Sequence, residues 1–334
     1  MSVTSTPERT SPPRATRRPR QAGGWKQVAV SQAFLLPAVA VFIFLFVIPL
    51  GQTFYWSLTD FTGYSLDANF VGFANYATIL TDASMLAGLS FTLLFAVGST
   101  ALITVVAIPL AVQLNKVFVG RNFVRPIWFF PAIPSMAILG LVWRYILSPL
   151  ESGVLNSTLK ALFGIGPFGW LSDNNLAKLS VIIVAVWGGA GWHAVLYTAY
   201  LQSIPSDYYE VARIDGATPR QQFFHITLPL LMPAVVISTF LLMTGGLKVF
   251  DLPYTLTNGG PGFSTYTITQ SIIISGVSQG RYGLASALAV LFPIAVAILP
   301  RGLAEGTSLW AEVRGKRMAV SVTPLPFYKP AYKR

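Results

Sequence analysis

Gln202-Ser-Ile-Pro-Ser-Asp-Tyr-Tyr-Glu210-Val-Ala212-Arg-Ile-Asp215-Gly216-Ala217-Thr218-Pro219-Arg-Gln-Gln-Phe-Phe-His-Ile226-Thr-Leu228-Pro229 is a polar stretch between two long apolar runs. Its local signals predict two short helices with a hinge. Asp207 reads as the cap of the first, with Glu210 three residues on as in a capping box. Gly216 suits the left-handed residue that ends it. Thr218 reads as the cap of the second, with Pro219 at its first position. Tyr208, Val211, Ala212 and Ile214 make the first helix partly apolar. A helix this short does not hold alone in water. It must pack on the rest of the chain or on a partner.

The flanking runs are read by length, since about 20 mostly apolar residues cross roughly 30 Å of hydrocarbon. Six such spans are predicted: Ala33–Thr53, Leu86–Val112, Pro126–Leu147, Leu176–Leu201, Leu228–Phe250 and Tyr282–Pro300. Composition agrees, with 53% hydrophobic and 10% charged residues, against about 25% charged in a soluble domain. The expected fold is therefore all-α, a polytopic membrane protein with six transmembrane helices. A cleaved signal peptide is the weaker reading of the first span, because its Ala38–Ala40 motif opens the apolar run instead of following it. Prolines and glycines inside the runs predict broken helices where the chain lines a cavity or moves.

Charge placement sets the orientation. The net charge of +11 comes from cations at the two ends and in alternate loops. Arg9, Arg14, Arg17, Arg18, Arg20 and Lys26 precede the first span. Lys116, Arg121 and Arg125 lie between the second and third, and Arg213 and Arg220 between the fourth and fifth. Arg301, Arg314, Lys316, Arg317, Lys329, Lys333 and Arg334 follow the sixth. The opposite loops carry Asp60, Asp67, Asp82, Glu151, Asp173 and Asp251. Both ends are thus expected in the cytoplasm of a cell membrane protein. The expected organisation is a basic, disordered tail over 1–32, a six-span domain over 33–300 with its key loop at 202–227, and a cytoplasmic tail over 301–334. The first tail reads as a topology anchor held by anionic lipid, not as a nucleic-acid binder.

Several chemistries are excluded. There are no cysteines, so disulfides, thiolate metal sites and cysteine nucleophiles are out. Two histidines without neighbouring ligands point to no metal site. No Gly-x4-Gly-Lys-Ser/Thr phosphate loop is present. The aspartates fall in loops and form no proton relay within spans, which counts against an ion-coupled secondary carrier.

The pattern Glu210-x-Ala212-x-x-Asp215-Gly216-Ala217 followed by Ile226-x-Leu228-Pro229 resembles the "EAA" loop of permease subunits in binding-protein-dependent ABC importers. Val211 stands where that pattern has a second alanine. Phe70-Val-Gly-Phe-Ala-Asn-Tyr76, Phe129-Phe-Pro-Ala-Ile-Pro-Ser135 with Trp143, and Asp251-Leu-Pro-Tyr-Thr-Leu-Thr-Asn-Gly-Gly-Pro-Gly262 are similar to stretches of sugar permeases of the maltose and glycerol-3-phosphate type. The likeness covers about Ala33–Leu299. It departs at the long polar tail after Pro300, since such permeases usually end soon after the sixth span.

The resemblance implies a type I ABC importer permease bundle whose loop docks on a separate ATPase subunit. It implies a second homologous permease, two ATPase subunits, an extracytoplasmic solute-binding protein and a sugar as partners within membrane lipid. ATP and Mg would sit in the ATPase, with no cofactor on this chain. The fourth and fifth spans would line the sugar pathway. By register, Gly188, Gly189 and Trp192 of the fourth fall on lining positions, as do Gly245, Gly246, Lys248 and Val249 of the fifth; His193 and Phe250 are further candidates. Each has a blander reading. Trp192 serves equally as a packing aromatic and His193 as a satisfied polar group. Lys248 can snorkel or pair with Asp251, and the glycines can serve close helix approach. Another polar solute, such as a phosphate ester or polyamine, is the alternative cargo.

Overall fold

The computed structural model describes residues 25–65, 67–116, 119–298, 308–313 and 316–321, with side chains over 32–65, 67–116 and 119–294. Most of the two predicted tails, including Arg9–Arg20 and Arg301, lies outside the described residues. The chain divides into two compact units, Met1–Gln52 and Thr53–Arg334.

α1 (Trp25–Phe42) of the first unit runs through a π-helical turn, Ile43–Val47, into α2 (Ile48–Trp56), whose residues from Thr53 on are counted in the second unit. Gln32–Trp56 is apolar enough to cross a membrane. Phe34, Leu36, Phe44 and Phe46 are exposed, as suits a surface solvated by lipid. The π turn falls just before Pro49, which lacks the N–H that a regular turn would use.

The second unit opens with α3 (Ala74–Thr81) and α4 (Ala83–Asn115), then α5 (Arg121–Phe129), α6 (Met136–Ile146) and α7 (Val154–Phe163). It continues with α8 (Asn174–Leu201), α9 (Asp207–Ile214), α10 (Pro219–Gln222) and α11 (Leu228–Leu247), and then α12 (Asp251–Thr257), α13 (Ile268–Ile273) and α14 (Tyr282–Ile298). A two-stranded antiparallel hairpin, β1 (Ser308–Val313) and β2 (Lys316–Ser321), lies in the polar tail, where no strand was expected.

The all-α membrane fold is observed. Among the described residues four helices are long and apolar enough to span: Gln32–Trp56, Ala83–Asn115, Asn174–Leu201 and Pro219–Leu247. The third predicted span differs from a straight helix: Arg121–Ala132 and Met136–Ile146 meet at 96°. Pro131 lies in the last turn before the break and Pro134 within it, and Ser135 caps the new helix by accepting from the Ile138 amide, so the backbone restarts instead of continuing. The sixth predicted span coincides over the described residues with α14, Tyr282–Ile298, which contains Pro293.

α4 is the helix on which the others pack. Toward its N-terminal end Phe91 and Phe95 join Val181, Val184, Leu252 and Leu256 in one core cluster. Further in, Ile103, Ala107 and Ala111 pack with Ala194, Tyr197, Leu231 and Ala234. The contacts are rich in alanine because apolar tails of lipid offer no hydrophobic drive, and helices associate by approaching closely. Polar hubs order two of the connecting loops. Asn156 is buried; its amide donates to the carbonyls of Ser148, Leu150 and Phe168, and its carbonyl accepts from Phe168 N and Trp170 Nε1. Asn75 donates to the Ser57 and Thr59 carbonyls, and the Tyr76 hydroxyl to Ser57 Oγ.

Candidate functional site

The 202–227 loop folds as two short helices joined at Gly216. The end of α9 follows from the sequence. Gly216 has φ of 76°; its N–H donates to the Arg213 carbonyl and that of Ala217 to the Ala212 carbonyl, the paired bonds of a Schellman motif. The start of α10 also matches. Thr218 and Gln221 form a reciprocal capping box with Pro219 in the first turn. The start of α9 does not. Ser206 already has helical dihedrals and makes no side-chain cap bond, so Asp207 sits inside the first turn. Asp207 and Glu210 then act on the positive end of the helix as charges, not as caps.

α9 turns two faces outward and inward. Tyr208, Val211 and Ile214 are exposed, Ile214 at 84%. Glu210, Asp215 and Gly216 are exposed too, while Ala212 and Ala217 are half-buried. On the inner side the Tyr209 hydroxyl lies 3.1 Å from Thr227 Oγ1. Thr227 closes the π-helical turn Phe223–Thr227 that leads into α11. Pro229 lacks an N–H for the His225 carbonyl, and the wider turn accommodates that loss. Ile226 and Leu228 are half-buried at this root, and Pro229 is exposed. The loop therefore presents an apolar patch outward and is bonded to the base of a long helix inward.

The residues singled out on the two flanking helices divide into packing and open positions. A Cβ at Gly188 would meet Leu139 Cδ1 at 3.0 Å, at Gly189 Ile103 Cδ1 at 2.9 Å, and at Gly246 the Ala96 Cα at 2.8 Å. These three glycines let neighbouring helices close up. Gly245 faces open space. His193 is buried, and its Nδ1 lies 2.7 Å from Ser238 Oγ, so it is a satisfied polar link between α8 and α11. Trp192 is 52% exposed and meets the His193 ring edge-on. Phe250 stacks on Tyr254 at 5.0 Å. Lys248 is exposed. Among the described residues the ion pair present is Lys160–Glu151, so the Lys248–Asp251 pairing does not form; Asp251 instead opens α12.

The structure does not gather these eight residues into one pocket. Ser238 is on α11 and Lys248 caps its C-terminal end, ten positions on, or about 15 Å along the helix. The group around His193 thus lies well apart from Lys248. Open positions Trp192, Gly245 and Lys248 instead mark uncovered faces of α8 and α11. Sequence reasoning missed Ser238, Tyr209 and Thr227, each an ordinary hydroxyl residue whose partner is distant in the chain.

Residues 103–304 match the family described as binding-protein-dependent transport system inner membrane component. The chain is 34% identical to the probable ABC transporter permease protein YurN of Bacillus subtilis, over 77% of this chain and 89% of that protein. It is 32% identical to the probable starch degradation products transport system permease protein AmyD of Thermoanaerobacterium thermosulfurigenes, over 80% and 89%. With the diacetylchitobiose uptake system permease protein NgcF of Streptomyces coelicolor it shares 33% over 83% and 84%. In fold it is similar to a chain of a bacterial alginate ABC transporter, with a TM-score of 0.72, 24% identity, and coverage of 83% of this chain and 94% of the other.

Proposed function

The chain belongs to the family of binding-protein-dependent transport system inner membrane components, and from that premise we propose that it forms half of the membrane pathway of an ATP-driven carbohydrate importer. It is a multi-pass permease subunit. The sugar assignment is supported by relatives described as a probable permease for starch degradation products and a permease of a diacetylchitobiose uptake system. Both ends of the chain face the cytoplasm in this reading, which the placement of the loop cations supports. A second, homologous permease covers the open faces of α8 and α11, and the pathway runs between the two subunits past Trp192, Gly245 and Lys248. An extracytoplasmic binding protein delivers the solute. ATP hydrolysis belongs to two separate ATPase subunits, and this chain binds neither nucleotide nor metal.

The observation that carries the reading is the two-sided α9. Its outer face offers Tyr208, Val211 and Ile214 to a partner, and its inner face is bonded through Tyr209 to the root of α11. ATPase closure would move α9, and the bond and packing at Thr227 would pass the movement to α11. Differential binding of ATP to the two arrangements then shifts their populations. The test is reconstitution in liposomes with the second permease, the ATPase and the binding protein. Ile214→Asp and Glu210→Ala should abolish binding-protein-stimulated ATP hydrolysis while insertion is unchanged. Uptake by this chain alone, driven by an ion gradient, would overturn the reading in favour of a secondary carrier.

A further inference from the structure

A cavity of about 420 Å³ lies between the inner ends of α4 and α8 and the α9–α10 loop. Asn115, Lys116, Gln202, Tyr209, Gln222 and Thr227 are among its lining residues. Its volume falls in the range that holds small metabolites. Among the described residues, the side chains of Asn115, Lys116 and Gln202 make no hydrogen bond or ion pair with the protein. Gln222 spends its amide N–H on the Ala217 carbonyl and keeps its oxygen. No Asp or Glu lines the cavity, so the Lys116 ammonium has no counter-charge there. Nearby Arg121 and Arg125 each donate one bond to the Leu114 carbonyl at the end of α4 and keep their positive charge, which adds to that of Lys116.

We propose that this cavity binds a small cytoplasmic phosphomonoester of a polyhydroxyl compound, which regulates coupling. Lys116 takes the phosphate as a point charge. Asn115, Gln202 and the Gln222 oxygen offer donors and acceptors to hydroxyl groups. The wall of the cavity includes both partners of the Tyr209–Thr227 bond, so an occupant sits against the link between α9 and α11. The regulatory consequence rests on the permease reading above; the binding itself does not. The reaction class that supplies such a ligand is phosphoryl transfer to an imported polyol, which makes the site a feedback point.

The experiment uses the full chain in phosphatidylcholine nanodiscs and titrates glucose 6-phosphate, glucose and inorganic phosphate by calorimetry. Saturable binding of glucose 6-phosphate is expected, with glucose weaker by about tenfold or more and Lys116→Ala weakening the phosphoester by about tenfold or more, as loss of a charged hydrogen bond implies. Lys116→Arg should retain binding. No saturable heat up to about 10 mM, a range that still registers millimolar affinity, overturns the proposal, as does binding unchanged in Lys116→Ala. Loss of glucose 6-phosphate binding in discs containing phosphatidylglycerol identifies a lipid phosphate as the occupant and overturns the soluble ligand. Because no ATPase or transport is involved, failure here leaves the permease reading intact, and failure of that reading leaves the binding result standing.

Discussion

The hydroxyl of Tyr209 and Oγ1 of Thr227 lie 3.1 Å apart, a side-chain bond between the exposed helix α9 and the π turn at the base of α11. The two residues are 18 positions apart, and the bond closes the loop on itself. Tyr209→Phe keeps the ring and removes the bond, at a cost of about 1 kcal/mol. In a reconstituted transporter we expect solute uptake per ATP hydrolysed to fall several-fold, while ATPase docking, measured by co-purification, is retained. An unchanged uptake-to-ATP ratio would remove Tyr209 from the coupling path.

Gly216 tests the end of α9 separately. Its φ is positive, and nothing lies within 4 Å of the position a Cβ would take. Any effect of substitution is therefore conformational, without a clash. Gly216→Ala should destabilise the α9 end by about 1–2 kcal/mol, and Gly216→Asn by less because Asn tolerates the left-handed region. Stimulated ATPase activity should follow the order Gly, Asn, Ala, Val. Equal activity of the Asn and Val variants would contradict it.

His193 and Ser238 are buried partners across α8 and α11. Ser238→Ala leaves the imidazole without its partner and should cost about 1–3 kcal/mol. The double variant Ser238→Ala with His193→Phe should cost less than the sum of the two single changes, since both members of the pair are then gone. Thermal melting of the purified chain in detergent reads this directly, and strict additivity would show that the two do not interact.

The start of α4 gives a pH dependence. Asp82 caps it, accepting from the Ser84 and Met85 amides. The Ser84 hydroxyl chiefly, then the backbone amides and the nearby Arg281 charge, hold its carboxyl below the ordinary carboxylate range, against the opposing effect of burial. A depressed folded value means that the contribution is present above the unfolded pKa near 4 and is lost as pH falls through the folded value. Asp82→Ala should therefore cost about 1 kcal/mol at neutral pH and progressively less below about pH 4. A cost that does not change between neutral and acid pH would assign it to packing.

What the sequence made legible follows from the range of each signal. Gly216, Thr218 and Pro219 act within one turn, so their effects on α9 and α10 could be read locally. Apolar runs set α4, α8 and α11 because length in lipid is a one-dimensional constraint. Prolines such as Pro131 and Pro134 inside an apolar run announced a broken helix, but hydropathy is blind to direction and did not give the 96° bend. Ser206 adopted helical dihedrals one residue earlier than the cap rule placed the start, which made Asp207 a first-turn charge. His193–Ser238 spans 45 positions and Ile268 N to Thr92 Oγ1 spans 176; no local pattern announces such pairs. The candidate pathway residues could be read only as a list, because whether a glycine faces a helix or open space depends on the neighbouring helix.

Gly245 and Gly246 are adjacent in the chain and opposite in surroundings, which separates packing from passage. A Cβ at Gly246 would press on the Ala96 Cα and, at 3.2 Å, on its Cβ. Gly246→Val must push α11 off α4 and should cost about 1–3 kcal/mol, the usual penalty of overpacking. Gly245 has open space around it, so Gly245→Trp should leave the melting temperature nearly unchanged. If the open face of α11 borders the solute pathway, that same variant should abolish uptake while binding-protein-stimulated ATP hydrolysis persists. Normal uptake in a stable Gly245→Trp transporter would place this face against lipid and move the pathway to another side of the bundle.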